Sequence, residues 1–306
     1  ALLDSAKAWV SNGETERPVI MAQGALRLLK AIRTEGPVTE RLERRVMQAA
    51  KLEGIAHHYA GRYAPALKCF QAMESAADRC GDVKNSAAAM NYQAYQYRAM
   101  NELERAKGKT LQALRILDRL PEDGNLANTH SGLGSIYTNL DVLDSAFLHQ
   151  RSALGIYHRA GLTELEALCR LDLADLFMLR GRHATTASFL KAGAYDSALH
   201  YLELARPVLE NSPNTADRCI FLDQLARAYY GSGRYNDAHL ALTQAHELAM
   251  DSPNDEHQYR TMELLALVAS AQHDPPEALR WQALAREATI RDQDLAAAIL
   301  GCDGPA

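Results

Sequence analysis

One small residue recurs at a nearly fixed interval along this chain of 306 residues. The recurring residues are Ala66, Ala106, Ala146, Ala198, Ala238 and Ala278. Successive intervals are 40, 40, 52, 40 and 40 residues. A period of this size predicts stacked copies of one supersecondary unit, each burying apolar surface against its neighbours, rather than one globular core around a catalytic cleft.

Each copy has the same pattern on both sides of a turn between two helices. In the clearest copy, residues 225–229 read Leu-Ala-Arg-Ala-Tyr, and Gly233, Tyr235 and Ala238 follow. Small residues allow two antiparallel helices to approach closely. The glycine can end the first helix in a left-handed conformation, and the aromatic residue after it fills the gap between neighbouring helices.

This pattern resembles the tetratricopeptide repeat (TPR) over roughly residues 40–290. His57 replaces the aromatic residue of one copy, and Asn101, Asp141 and His273 replace the turn glycine in others. The resemblance implies an all-α fold, a right-handed α-solenoid of about seven antiparallel helix pairs. The period exceeds the usual one of about 34 residues, and forty-residue versions are similar to those of bacterial sensor and signalling proteins.

We expect the whole chain, 1–306, to form one solenoid domain. Residues 1–36 are predicted to form an incomplete first helix pair, and 37–292 six repeats with an insertion near 183–194. A long helix over 276–300 either caps the stack or connects it to an output domain beyond the chain. The predicted pairs cover about 39–79, 84–119, 125–160, 163–210, 216–250 and 257–292.

The interval of 52 residues is the one departure from the 40-residue period. Gly181 and Arg182 are predicted to form an ordinary turn after a first helix, and about twelve residues then precede Tyr195. The insertion is either a surface loop, which costs little because loop-closure entropy grows slowly with length, or a helical extension or lid that packs on a partner.

Composition limits the classes of partner. The formal net charge of −5 argues against broad binding to nucleic acid or to anionic membranes, both of which require a basic face. The sequence contains no apolar run long enough to cross a bilayer, and we expect a cytoplasmic protein. The cysteines are odd in number, have no metal-site spacing, and are expected to be buried structural thiols; they are Cys69, Cys80, Cys169, Cys219 and Cys302.

The resemblance implies that the first helices of successive repeats line a concave groove that receives a peptide or a partner protein. Helical periodicity from the shared pattern places one set of side chains inward. That set is Lys51, His58, Asn91, Tyr95, Arg98, Ser131, Ser135, Asp175, Asp223, Arg227, Tyr230 and Glu263. Basic residues dominate its amino-terminal half and acidic residues its carboxy-terminal half, where Arg227 is the exception.

Catalytic and metal-binding signals are weak. The glycine pairs at 132–134 and 231–233 follow helices rather than strands and do not form phosphate loops. His57 and His58 are adjacent on a predicted helix and point about 100° apart, so the two cannot chelate one ion. The sequence therefore predicts no enzyme, no catalytic residue, no metal and no cofactor.

Two functions remain from different classes. The first is a peptide- or protein-binding module, the sensory or regulatory part of a bacterial signalling protein whose output domain lies outside this chain. The second is a stand-alone scaffold that assembles a protein complex. Nucleic acid and membrane are not expected as direct partners, and a homodimer remains open because the ends of solenoids often pair.

Overall fold

The computed structural model describes residues 16–35, 39–183, 188–250 and 255–287, and every regular element among them is an α-helix. The chain divides into two compact units between Leu162 and Thr163. The all-α fold class is confirmed. The expectation of one continuous domain stays a prediction.

The first unit contains seven described helices, and consecutive helices within each repeat pack against one another. They are α1 (Glu16–Glu35), α2 (Glu40–Tyr59), α3 (Tyr63–Arg79), α4 (Val83–Ala99), α5 (Leu103–Leu117), α6 (Gly124–Asn139) and α7 (Leu143–Arg159). In each repeat the helix before the turn, here α2, α4 or α6, is its first helix. The first helices of successive repeats are also neighbours, as α4 and α6 show.

The second unit repeats this arrangement with α8, α10 and α12 as first helices. Its helices are α8 (Thr163–His183), α9 (Ser188–Leu209), α10 (Thr215–Gly231), α11 (Tyr235–Met250), α12 (Asp255–Ala271) and α13, which is described over 275–287. Asn214 caps α10 by accepting a hydrogen bond from the amide of Ala216. The predicted helix at 276–300 is therefore seen as far as 287, and the predicted helix before Glu16 lies outside the described residues.

The recurring alanines are buried on the second helix of each repeat. Ala66, Ala106, Ala146, Ala198 and Ala238 have no exposed surface, and Ala278 is 5% exposed. A larger side chain at these positions would push the two helices apart, because protein interiors are packed without spare volume. The period in the sequence thus marks the contact that holds each helix pair together.

The residues that replace the turn glycine adopt the glycine conformation. Gly61 and Gly233 have φ angles of 68° and 80°, while Asn101, Asp141 and His273 have 61°, 58° and 59°. At Asn101 the turn amide donates to the carbonyl of Arg98, and the next amide donates to the carbonyl of Tyr97. These two bonds satisfy carbonyls at the end of the helix. The turn is thus retained in copies that lack its glycine.

The prediction of a turn at Gly181 and Arg182 was wrong. Helix α8 continues through both residues to His183, and α9 already begins at Ser188. The two helices have 21 and 22 residues, against 15 to 17 in α3 to α7. The described part of the insertion therefore lengthens both helices. The ring of Tyr195 packs against Gly181, 3.1 Å from the position that a Cβ would occupy.

None of the described helices combines the length and the hydropathy that crossing a bilayer requires.

Candidate functional site

In the first unit, predicted inward side chains connect the first helices of successive repeats. The Nδ1 of His58 on α2 lies 3.1 Å from the Oε1 of Gln96 on α4. Asn91 on α4 donates from Nδ2 to the hydroxyl of Thr129 on α6, at 2.6 Å. In both cases the partner follows by 38 residues, so each contact joins one repeat to the next, although the two start from different positions of the repeat.

Aromatic rings and cations extend this surface. The ring of Tyr95 lies 4.7 Å from that of His58, and the guanidinium of Arg98 lies 4.8 Å from the Tyr95 ring centroid. Lys51 places Nζ 5.2 Å from the ring of Tyr92. Tyr95 is 45% exposed, whereas His58 and Arg98 are half-buried. The structure thus brings His58, Tyr95 and Arg98 together and places Lys51 beside Tyr92 on the same pair of helices; that this face is the inner one stays a prediction.

Burial lowers the pKa of His58, and the hydrogen bond to Gln96 only partly opposes that effect. The imidazole is therefore neutral at neutral pH, because its pKa lies below the ordinary value of 6.5. Lys51 and Arg98 supply the positive charge of this face.

The hydroxyl of Ser135 bonds to its own helix rather than to a neighbouring one. The hydroxyl of Ser135 donates to the carbonyl of Ser131 at 3.1 Å, and both residues are half-buried. On the same helix, Thr129 makes the contact with Asn91. Sequence reasoning missed Thr129, Tyr92 and Gln96, because the repeat spacing of 40 residues from Asn91 and His58 leads to Ser131 and Arg98 instead.

In the second unit, a buried carboxylate is shared by two arginines. Oδ2 of Asp223 lies 3.0 Å from Nε of Arg227 and 3.3 Å from Nη2 of Arg260, and Asp223 is only 8% exposed. A buried charge is tolerated when it is paired in this way. Arg260 was missed by the sequence analysis. It lies one helical turn before Glu263, so it belongs to the same face.

A pocket of about 840 Å³ opens between helices of the second unit. The predicted residues Asp175, Arg227 and Tyr230 line it, and Arg182 and Asp196 add two charges. The remaining walls are largely apolar and include Met178, Leu242, Leu264, Leu267 and Val268. The pocket thus combines an apolar surface with charges of both signs.

Tyr195 forms one wall of this pocket, and its ring occupies the space that a side chain at Gly181 or Gly231 would need. A Cβ on Gly231 would lie 2.1 Å from Cε1 of Tyr195, and a Cβ on Gly181 would lie 3.1 Å from its Cε2. The ring therefore packs against backbone of both α8 and α10. Burial raises the pKa of Tyr195, which keeps its hydroxyl protonated at neutral pH.

The sequence matches no protein-family model and no curated protein, but solved structures match the fold. A Rap protein complexed with Competence and Sporulation Factor gives a TM-score of 0.62 at 16% identity, over 89% of this chain and 73% of that one. BtubC from P. vanneervenii gives 0.59 at 17% identity, over 78% and 94%. A STAND protein with a tetratricopeptide repeat sensor, from Pyrococcus horikoshii, gives 0.61 at 13% identity and matches 98% of this chain, which spans only 43% of that protein.

The chain has the tetratricopeptide-repeat fold. At these identities the likeness concerns the fold and not the ligand.

A smaller cavity of about 270 Å³ adjoins the larger pocket of the second unit. It shares Asp175 and Arg227 with the larger pocket and is also lined by Asp223 and Arg260. The predicted groove residue Glu263 lines neither cavity. It is exposed and accepts a hydrogen bond from the hydroxyl of Tyr259 at 2.5 Å.

Proposed function

We propose that this chain is a peptide- or protein-binding TPR module and that the pocket of the second unit receives the ligand. The observation that carries the proposal is the pocket itself. Its volume of about 840 Å³ falls within the range of about 300–1,000 Å³ that is usual for ligand sites. Its walls come partly from α8, α10 and α12, the first helices on which inward side chains were predicted.

The chemistry of the walls favours a peptide with apolar side chains and an extended or helical backbone. Leu267 is 52% exposed at the pocket, which leaves apolar surface for a ligand to cover. Tyr230 adds a ring that loses little conformational entropy on binding. Arg227 and Asp175 offer a donor and an acceptor to a peptide backbone or to its charged groups.

The names of similar structures support a peptide as the ligand class. One Rap protein was solved with Competence and Sporulation Factor, and another, the conjugation gene regulator of the plasmid pLS20, with the Phr* peptide. A third neighbour carries its TPR as the sensor of a signal-transduction ATPase. We accordingly propose that this chain is the sensory or regulatory part of a bacterial signalling protein that acts in the cytoplasm, and that it binds rather than catalyses.

The alternative is a scaffold that holds partners of a complex. It is favoured by the inner face of the first unit, where the ring of Tyr95 is exposed beside Arg98. A scaffold that uses this face would bind through Tyr95 and Arg98, whereas a peptide sensor that uses the pocket would not require them.

A peptide-array screen followed by fluorescence anisotropy on the selected peptides tests the proposal. Leu267→Asp places a charge on the apolar wall, and we expect it to weaken binding at least about tenfold, or about 1.4 kcal/mol. Leu240→Asp is the matched control, because Leu240 is 60% exposed on α11 but lies outside the pocket lining.

Equal peptide affinities of the Leu267 and Leu240 variants would show that the pocket does not bind the peptide. Loss of binding in Tyr95→Ala, with the Leu267 variant unaffected, would favour the scaffold.

A further inference from the structure

Three side chains that can ligate a metal ion converge between α2 and α3 of the first unit. Glu53 and His57 lie four residues apart on α2, and Cys69 lies on α3. One ligand atom from each of the three lies within 4.8 Å of the other two. We infer that Glu53, His57 and Cys69 form a binding site for a thiophilic divalent cation of the zinc class.

The ligand set fits this class of ion. Carboxylate, imidazole and thiolate are the three side-chain ligands that Zn²⁺ takes in proteins, with bonds of about 2.0–2.3 Å. Thiolate excludes Mg²⁺ and Ca²⁺, which prefer oxygen ligands alone. Three protein ligands leave one tetrahedral position for water or for a donor from a bound partner.

The distances require only a small adjustment. Ligand atoms of a tetrahedral zinc site lie about 3.5 Å apart, as those bond lengths imply. Nε2 of His57 and Oε1 of Glu53 are already 3.7 Å apart. The limit of 4.8 Å for the whole set means that metal binding draws the side chains together by about 1 Å, a movement that rotamer changes can supply.

The surroundings hold the ligands in place. Glu53 and His57 are each 8% exposed, and Nδ1 of His57 is buried without a hydrogen-bond partner among the described residues. Nε2 of His57, which faces Glu53, is the nitrogen placed to bind the ion, so Nδ1 is the ring nitrogen left to a partner behind the ligand. Gln23 on α1 donates to Oε1 of Glu53 at 3.0 Å and orients that carboxylate, as residues behind a metal ligand commonly do.

Charge at the site permits a divalent cation. A thiolate on Cys69 and the carboxylate of Glu53 would together balance a charge of two. The cation near His57 is Arg62, which pairs with Glu16 at 2.9 Å, so its charge is already compensated. The metal-loaded cluster is therefore neutral, which lowers the cost of burying it.

Zinc titration of the full chain by calorimetry tests the inference, with Co²⁺ absorption reporting a metal–thiolate bond. We expect one equivalent to bind. Cys69→Ser and His57→Gln should each weaken binding at least about tenfold, since even residues behind a ligand are worth about 10–100-fold. Cys80→Ser is the matched control, because Cys80 is also half-buried and its thiol donates to the carbonyls of Ala76 and Ala77, away from Glu53 and His57.

A second measurement does not depend on how well the variants fold. Zn²⁺ should slow alkylation of Cys69, read by mass spectrometry, and leave Cys80 unchanged. Binding that persists in Cys69→Ser, or that is lost only in His149→Gln, would overturn the assignment. The His149 variant is included because the Nδ1 atoms of His130 and His149 lie 3.0 Å apart and offer a competing pair. Failure of the wild-type chain to bind Zn²⁺ would also overturn it.

Discussion

The two units share one repeat pattern but treat the space between their first helices differently. In the first unit, hydrogen bonds from His58 to Gln96 and from Asn91 to Thr129 join successive repeats. In the second, the helices leave a pocket of about 840 Å³. The same repeat pattern is therefore compatible with polar contacts between first helices and with a pocket, and in the second unit the Asp223–Arg260 ion pair lies beside that pocket.

Two aromatic rings illustrate the difference. Phe70 in the first unit is 1% exposed, stacks on Tyr92 at 4.8 Å and packs against Gly54. Tyr195 in the second packs against Gly231 but also borders the pocket. We expect a ring enclosed by core atoms to be unable to move away from an added Cβ, whereas a ring beside an open pocket has space to move into.

Two alanine substitutions, Gly54→Ala and Gly231→Ala, test whether the rings of Phe70 and Tyr195 are held equally firmly, and they have the largest expected effect on stability. An added Cβ would lie 2.7 Å from the ring of Phe70 at Gly54 and 2.1 Å from the ring of Tyr195 at Gly231. These distances alone predict that Gly231→Ala loses more unfolding free energy than Gly54→Ala. We expect the reverse, about 3 kcal/mol of unfolding free energy for Gly54→Ala and about 1 kcal/mol for Gly231→Ala, within the usual range for overpacking.

Urea denaturation measures both losses, and Gly132→Ala is the control because its Cβ would meet its nearest atom at 3.9 Å. That variant should be neutral or slightly stabilising, since alanine favours a helix more than glycine. A greater loss at Gly231 than at Gly54 would show that Tyr195 is as firmly held as Phe70.

The fold was predictable to a larger extent than the site. The recurring alanines and the turn residues were identified from spacing, because burial at a helix crossing permits only small side chains. Arg260 and the pocket wall formed by Tyr195 were not identified. Their roles depend on which neighbouring helix they meet, and no periodicity within one helix reports that.

A smaller effect is expected at the turns that lack glycine. His273 in the second unit and Asn101 in the first both have φ near 60°. Asparagine tolerates this left-handed region better than most side chains, so His273→Gly should stabilise more than Asn101→Gly. We expect gains of up to about 1 kcal/mol and a few tenths respectively, read as shifts in the urea midpoint. Equal gains would mean that the side chains contribute contacts beyond the turn.

The smallest effect concerns acid stability. Burial lowers the pKa of His130 and of His149, and for His149 the nearby His130 adds to the effect. The unfolded chain takes up these protons near pH 6.5, whereas the folded chain takes them up only at lower pH. The contribution of these two histidines to the free energy of unfolding is therefore complete above pH 6.5 and declines as the pH falls below it.

His149→Gln should reduce that decline, measured as the change in unfolding free energy between about pH 7 and about pH 5. His246→Gln provides the comparison in the second unit, where burial also lowers the pKa of a histidine beside Trp281. An unchanged pH dependence in the His149 variant would exclude the pair as a source of acid sensitivity.

The sequence alone determined the repeat, its period and the left-handed turns, because these depend on residue size and backbone conformation at fixed intervals. It also grouped Asp175, Arg227 and Tyr230, which line one pocket. The tertiary structure decided that Gly181 stays helical and that Tyr195 packs between two helices beside an open pocket. It also placed Cys69 beside His57. These outcomes depend on contacts between helices, where one ring or one thiol from a neighbouring element determines what a position does.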